Sequence, residues 1–136
     1  MNIMVGYDRS NVAKEALVLV KKHAKAFDAK VYLLTALTQG PDLQLEDIQK
    51  AEHELERLRI SFKEDGIPCE THAIISSLSA GEDLVQFAQE NGIDEIVIGV
   101  RRRSKVGKLL FGSNAQYIIL QAPCSVVTVT KTSEIV

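Results

Sequence analysis

Residues 3–37 read IMVGYDRSNVAKEALVLVKKHAKAFDAKVYLLTAL, and this stretch divides into a strand, a helix and a second strand. Its first four residues are a short apolar run, which is closed by the polar turn Tyr7-Asp8-Arg9-Ser10. From Asn11 the apolar residues follow a helical period and share one face: Ala13, Ala16, Leu17, Val20, Ala24 and Phe27. Residues 31–37 are nearly all apolar, as in a strand that is buried on both faces. The stretch therefore predicts a βαβ unit of a parallel sheet.

The same alternation continues along the rest of the chain. A long helix is predicted from the spacing of its apolar residues, with Gly66 and Pro68 as its end: Leu45, Ile48, Ala51, Leu55, Leu58 and Phe62. Further strands are predicted at residues 69–75, 95–100 and 125–130. Two capping boxes, Ser79-Ala80-Gly81-Glu82 and Ser113-Asn114-Ala115-Gln116, predict helices that start after Ser79 and after Ser113. The pattern predicts an open parallel α/β sheet with helices on both faces.

Length and composition bound the class of protein. The chain has 136 residues, of which 46% are hydrophobic and 25% charged, so one domain over residues 1–136 is expected and disorder is not. No apolar run approaches the roughly 18 residues that span a bilayer, and the N-terminus enters a strand without a basic leader. We therefore expect a cytoplasmic chain with no membrane association. The net charge of -2 weighs against nucleic-acid binding by the whole molecule.

Two strand ends carry unusual chemistry, and ligands of such sheets bind at the carboxyl ends of strands. Asp8, after the first strand, either caps the following helix or accepts hydrogen bonds from a ligand, and the capping role is favoured. After the fourth strand, five basic residues lie between Gly99 and Gly112, and no acidic residue occurs from Ile96 to Ser133. Glycines, arginines and a helix start are the parts of a phosphate site, although a solvated basic loop remains an equal alternative.

Known catalytic and nucleotide motifs are missing from the sequence. Gly107-Lys108 is followed by leucine, so it is not a P-loop, and the first strand lacks GxGxxG. The pattern shows no nucleophile–base pair, no paired catalytic carboxylates and no metal-ligand cluster. Strong enzymatic turnover is therefore not predicted.

The segment from Gly99 to Ser113 resembles the glycine fingerprint of the universal stress protein family, which is Gly, two residues, Gly, nine residues, Gly, then Ser or Thr. Gly99 begins it and Gly112-Ser113 ends it, whereas Arg102 replaces the second glycine. The opening Ile3-Met4-Val5-Gly6-Tyr7-Asp8-Arg9-Ser10 is similar to the family's first strand and Asp-x-Ser turn. Ala122-Pro123-Cys124-Ser125-Val126-Val127-Thr128-Val129 is similar to its last strand. The resemblance covers essentially the whole chain.

The resemblance implies a five-stranded, Rossmann-like parallel sheet in the order 3-2-1-4-5, with a ligand cleft between the first and fourth strands. One branch of the family binds ATP or AMP there, with or without Mg²⁺. Carried over by position, the residues that would line this cleft are Gly6, Asp8 and Ala36 for adenine and ribose, Ile98, Gly99 and Arg102 for ribose and phosphate, and Gly112, Ser113 and Asn114 for the phosphates. Arg9 and Arg102 both stand where the family often has glycine.

Two functional hypotheses follow from the resemblance. The first is a cytoplasmic, homodimeric stress-response protein that binds an adenine nucleotide, with at most slow ATP hydrolysis or autophosphorylation. The second is a dimeric protein-interaction module whose nucleotide site is occluded by Arg102. In both, the dimer forms through the fifth strand, where Val127 and Val129 lie on an uncharged edge. Nucleic-acid binding through residues 101–108 is weaker, because no aromatic residues interleave the basic ones.

Overall fold

The computed structural model describes residues 1–101 and 112–130, in which strands and helices alternate. The elements are, in chain order, β1 (Asn2–Gly6), α1 (Asn11–Phe27), β2 (Lys30–Thr38), α2 (Leu45–Glu64), β3 (Cys69–Ser76), α3 (Ala80–Glu90), β4 (Glu95–Gly99), α4 (Ser113–Gln121) and β5 (Ser125–Val129). Each predicted strand and helix is present, with bounds that shift by one or two residues.

The five strands form one parallel sheet in the order β3-β2-β1-β4-β5, which confirms the expected order. Val5 is in register with Leu33 on β2 and with Val97 on β4, so β1 lies at the centre. Ile3, Met4 and Val5 are completely buried, because helices cover both faces of the sheet. One core cluster lies beneath α1 and α2, and the other lies beneath α3 and α4.

The buried faces of the first two helices match the predicted apolar faces at most positions, although Val12 is buried in addition and three predicted residues lie outside the core. Phe27, in the last turn of α1, is 53% exposed and packs edge-on against the ring of His23 instead of against the sheet. Leu45 is 70% exposed and Ile48 is only half-buried, because the buried patch of α2 begins one turn later, at Ala51. These three residues therefore continue the predicted apolar faces without lying in the core, since helical spacing assigns a face but not how far the sheet extends beneath it.

Two helix ends match the sequence signals. The Ser79 hydroxyl accepts the Glu82 N–H at 3.3 Å while the Glu82 carboxylate accepts the Ser79 N–H, so α3 begins with the predicted capping box. Gly66 has a φ of 73° just beyond α2, where a left-handed residue ends the helix.

β5 is an edge strand of the sheet, as the expected strand order implies. Val127 and Val129 are half-buried and pack against the core cluster beneath α1 and α2, whereas Thr128 is exposed. The side chains of Val127 and Val129 therefore pack within their own chain. A second copy could pair only with the backbone N–H and C=O groups at the free edge of β5. Within the described residues, no helix has the length and apolar character needed to cross a bilayer.

Candidate functional site

The carboxyl ends of β1 and β4 lie side by side, at the point where the strand order reverses. β1 pairs with β2 on one side and with β4 on the other, so the turn after Gly6 and the chain after Gly99 reach the same edge. The two strand ends that stood out in the sequence are thereby brought together. A cleft outside such a reversal is the usual ligand site of an open α/β sheet.

The first cavity of this cleft is apolar and lies on the face covered by α3 and α4. Its volume is about 180 Å³, and Leu34, Leu84 and Ile118 form much of its wall. Six of the predicted site residues line it: Gly6, Asp8, Ala36, Ile98, Gly99 and Asn114. A small apolar cavity with a carboxylate and an amide at its rim suits a flat, partly polar ring.

The second cavity adjoins the first and is polar. Its volume is about 600 Å³ between the described residues, and it is lined by the turn after β1, by Arg101 and by the start of α4. The predicted residues Gly112, Ser113 and Asn114 all lie here, and the two cavities share Asp8, Gly99 and Asn114. The predicted residues that the structure describes thus line one continuous cleft with an apolar and a polar half.

The start of α4 differs from the predicted capping box. Gly112 is the N-cap, with φ -63° and ψ 161°, and its carbonyl accepts the Gln116 N–H at 3.0 Å. Ser113 is therefore the first helical residue, and its hydroxyl makes no capping hydrogen bond. The prediction of Ser113 as N-cap is wrong, because the preceding glycine adopts the extended cap conformation one residue earlier.

The first turn of α4 has features that favour the binding of an anion. Gly112 has no side chain that could accept the N–H groups of the first turn, and that turn contains no acidic residue. The N–H groups of a helix's first turn and the positive end of its dipole both favour a negatively charged ligand. Arg101, two residues beyond the end of β4, also lines the polar cavity and adds positive charge there.

The turn after β1 is held by two side chains. Ser10 caps α1, since its hydroxyl accepts the Ala13 N–H at 3.1 Å. Asp8 accepts the Ser10 N–H at 3.0 Å through Oδ1, so it shapes the turn and does not cap the helix. The favoured capping role of Asp8 is therefore wrong, because Ser10 fills that position. Asp8 is exposed and lines both halves of the cleft, which keeps the ligand-binding alternative open.

Packing requires one glycine of the cleft, Gly99, and leaves little room at a second, Gly6. A Cβ on Gly99 would lie 2.5 Å from the carbonyl carbon of Val12 and 2.6 Å from its oxygen, so only glycine lets β4 end against the first turn of α1. A Cβ on Gly6 would lie 3.0 Å from the Leu84 side chain. The sequence indicated these glycines as places for a ligand to approach, whereas the structure gives them a helix-packing reason as well.

A further cavity of about 380 Å³ lies on the other face of β2, between the strand ends and α2. The Tyr7 hydroxyl donates a hydrogen bond to Glu54 at 3.2 Å, and burial, followed by the charge of Glu54, raises the pKa of Tyr7. A hydrogen bond from Arg57 holds the pKa of Glu54 below its usual range. Arg9 also lines this cavity and has a φ of 66°, the left-handed conformation that glycine adopts most easily. The family's frequent glycine at this position agrees with that geometry.

The sequence reasoning missed the contribution of α3. Ala80 and Leu84 line the apolar cavity, and the Gly81 N–H donates to Asn114 Oδ1 at 3.0 Å. The sequence signal that could have indicated this contact is Gly81 itself, because glycine is unfavourable within a helix and its presence there suggests a close neighbour. Arg102 lies outside the described residues. The described residues include no group of three side chains that could hold a metal ion.

Comparison with known proteins agrees with this fold. The model of the universal stress protein family matches residues 1–130. A universal stress protein of Thermus aquaticus is 32% identical over 133 residues, which cover 93% of this chain and 96% of that protein.

Two solved structures from Archaeoglobus fulgidus are also similar. A universal stress protein is 33% identical with a TM-score of 0.83, and the match covers 95% of this chain and 98% of that one. A universal stress protein in complex with dAMP is 29% identical with a TM-score of 0.79, over 95% and 97% of the two chains. The family model covers residues 1–130 of this chain, and the sheet has the strand order that the resemblance implies. This chain therefore belongs to the universal stress protein family.

Proposed function

We propose that this chain is a stress-response protein that binds an adenine nucleotide in the cleft between β1 and β4. The observation that carries the proposal is the cleft itself, which joins a small apolar cavity to a polar one at the start of α4, where the N-cap is a glycine. A nucleotide has the same two halves, an apolar ring and a charged phosphate group. The Archaeoglobus fulgidus relative in complex with dAMP supports this choice of ligand.

In the proposed complex, the base and ribose lie against Gly6, Asp8 and Ala36. The ribose and first phosphate face Ile98, Gly99 and Arg102. The remaining phosphates are held at Gly112, Ser113 and Asn114, where N–H groups of α4 donate to them. ATP and AMP are the proposed ligands, and Mg²⁺ would arrive with the phosphates of ATP, since Mg²⁺ is commonly bound through substrate phosphates.

The binding of nucleotide is tested by calorimetric titration with ATP, ADP, AMP and cyclic AMP, each with and without Mg²⁺. The chain has no tryptophan and three tyrosines, so excess absorbance near 260 nm would also reveal nucleotide that copurifies with it. Binding of at least one of these nucleotides is expected. Failure of all four to bind would contradict the proposal.

Arg102 decides between the proposal and its alternative, a dimeric interaction module with an occluded site. A charge-assisted hydrogen bond is worth about 1.5–3 kcal/mol, which exceeds the cost of about 1 kcal/mol that Arg102 would carry if its backbone had to adopt a positive φ. We therefore propose that Arg102 contacts phosphate, and that Arg102→Ala weakens ATP binding and reduces its salt dependence. Tighter ATP binding by Arg102→Ala would favour the occluded module.

The same proposal includes a cytoplasmic homodimer without strong catalytic activity. The dimer would form by antiparallel pairing of two β5 edges across a two-fold axis. Slow ATP hydrolysis or autophosphorylation at Ser113 would be the upper limit of turnover. Incubation with γ-labelled ATP tests this limit, and rapid multiple turnover would contradict it.

A further inference from the structure

The first turns of α3 and α4 meet at one point, where Gly81 contacts Asn114. The backbone N–H of Gly81 donates to Asn114 Oδ1 at 3.0 Å. A Cβ on residue 81 would lie 3.0 Å from the Asn114 carbonyl oxygen and 3.2 Å from its Cα. The two helices therefore approach this closely because residue 81 has no side chain.

This contact fixes the orientation of the Asn114 carboxamide. The Gly81 N–H is a donor, so the amide must turn its oxygen toward α3. The other end of the group, Nδ2, carries two N–H donors and no acceptor. Asn114 is exposed and lines both halves of the cleft, so the oriented amide stands at the boundary between the apolar and the polar cavity.

We propose that Gly81 is a positioning residue of the nucleotide site, which acts by holding the Asn114 amide so that Nδ2 donates to a phosphate oxygen. The inference rests on the proposed function, and it adds a chemical requirement that the ligand must meet. A ligand must offer an acceptor at this point, which a nucleoside monophosphate does and the corresponding nucleoside does not. The contact thereby contributes to the preference of the cleft for AMP over adenosine.

The competing explanation is that the Gly81–Asn114 hydrogen bond only ties two helices together. Asn114→Asp and Gly81→Ala together separate the two explanations, because only Gly81→Ala disturbs the orientation of the amide without adding charge. A carboxylate can still accept the Gly81 N–H, and a negative charge is favourable at the N-termini of both helices, so the tie and the fold are kept. It offers no donor, however, and it repels phosphate.

The experiment measures the dissociation constants of AMP and adenosine, together with the melting temperature, for the full chain and its variants. For Asn114→Asp we expect the ratio of AMP affinity to adenosine affinity to fall by about tenfold to a hundredfold, with no loss of melting temperature. Gln89→Glu is the matched control, because it adds the same charge at an exposed position of α3 that lines neither cavity. It should leave the affinity ratio unchanged.

Gly81→Ala tests the positioning role without altering a group that touches the ligand. Its methyl group must push the start of α3 away from Asn114, so the affinity ratio should fall toward that of Asn114→Asp. A ratio equal to that of the wild type in Gly81→Ala would overturn the inference while leaving the proposed function intact, because a fall in Asn114→Asp would then reflect charge repulsion alone. A wild-type chain that binds neither AMP nor adenosine would overturn both.

Discussion

At the residue scale, the glycines of the cleft have different reasons for being glycine. The position of a Cβ on Gly99 is already occupied by the backbone of α1, whereas no described atom lies within 4 Å of the Cβ position on Gly112. Gly112 also has a φ of -63°, which any residue adopts. In this chain, packing therefore requires glycine at position 99, whereas neither the described contacts nor the backbone conformation requires glycine at position 112.

The comparison of Gly99→Ala with Gly112→Ala tests this difference. Gly99→Ala should lower the free energy of unfolding by about 3 kcal/mol, at the upper end of ordinary overpacking, because the clash is with backbone. Gly112→Ala should change it by less than about 0.5 kcal/mol, since a weaker N-cap is offset by a less flexible unfolded chain. Urea unfolding measures both, and equal losses would contradict the assignment.

Ser113 supplies a second prediction at this scale. As an N-cap its replacement by alanine would cost about 0.5–2 kcal/mol, but as the first helical residue it should cost less than about 0.5 kcal/mol. If its hydroxyl donates to a phosphate, Ser113→Ala should still weaken AMP binding about twofold to tenfold. Urea unfolding and calorimetric titration of the same variant measure the two effects. A large stability loss would restore the capping role, and an unchanged affinity would remove the phosphate contact.

At the element scale, the outer strand β5 determines how copies of the chain can meet. Its inner edge is paired with β4, and the Val129 carbonyl accepts the Val100 N–H at 2.8 Å. Since backbone groups alternate along a strand, Val126 and Thr128 direct their N–H and C=O groups to the free edge. The side chains of Val127 and Val129 are committed to the core, so a test of dimerisation must change the backbone.

Thr128→Pro is such a test. Proline removes one N–H from the free edge, which an edge strand tolerates, and leaves the ladder to β4 in place. We expect a wild-type dimer and a folded Thr128→Pro monomer at micromolar concentration, as measured by light scattering and circular dichroism. Val127→Pro is the control, because it removes an N–H on the β4 side and should destabilise the fold. A variant that remains dimeric, or a monomeric wild type, would contradict pairing through β5.

At the scale of the whole molecule, charge is distributed unevenly. The net charge is only -2, yet no acidic residue occurs between Ile96 and Ser133, a segment that supplies β5 and one wall of the cleft. The acidic residues are concentrated elsewhere, as on α2, where Glu54 and Glu56 pair with Arg57 and Arg59. Among the described residues, the polar cavity is lined by Arg9 and Arg101 and by the single carboxylate of Asp8, so a small positive charge at the cleft coexists with an almost neutral molecule, which suits a small anionic ligand better than a nucleic acid.

Ligand binding should be visible as stability of the whole chain. At a nucleotide concentration of one hundred times the dissociation constant, binding to the folded state adds about 2.7 kcal/mol, which corresponds to a rise of about 10 °C in melting temperature for a chain of this size. Calorimetry should also show one transition, because residues 1–136 are expected to form one domain. Inorganic phosphate alone should produce a smaller rise. Two separate transitions, or no rise with any adenine nucleotide, would contradict these expectations.

The sequence alone determined the order of strands and helices, because the spacing of apolar residues within each segment indicates which of the two it forms. Local signals were equally reliable at the capping box after Ser79 and at Gly66, since each involves atoms only a few residues apart. The resemblance supplied the strand order and the cleft residues. Spacing alone could not supply them, because pairing of β1 with β4 joins residues about ninety positions apart.

Tertiary structure decided what depends on two elements touching. The clash that requires Gly99 involves α1, the hydrogen bond that orients Asn114 comes from α3, and the exposure of Phe27 and Leu45 depends on how far the sheet extends beneath their helices. The N-cap of α4 was also decided by the structure. The sequence around Ser113 is compatible with either Gly112 or Ser113 as the N-cap, and the backbone conformation shows that it is Gly112. Periodicity reports which face of an element is apolar, whereas the neighbour that this face meets is set by packing in three dimensions.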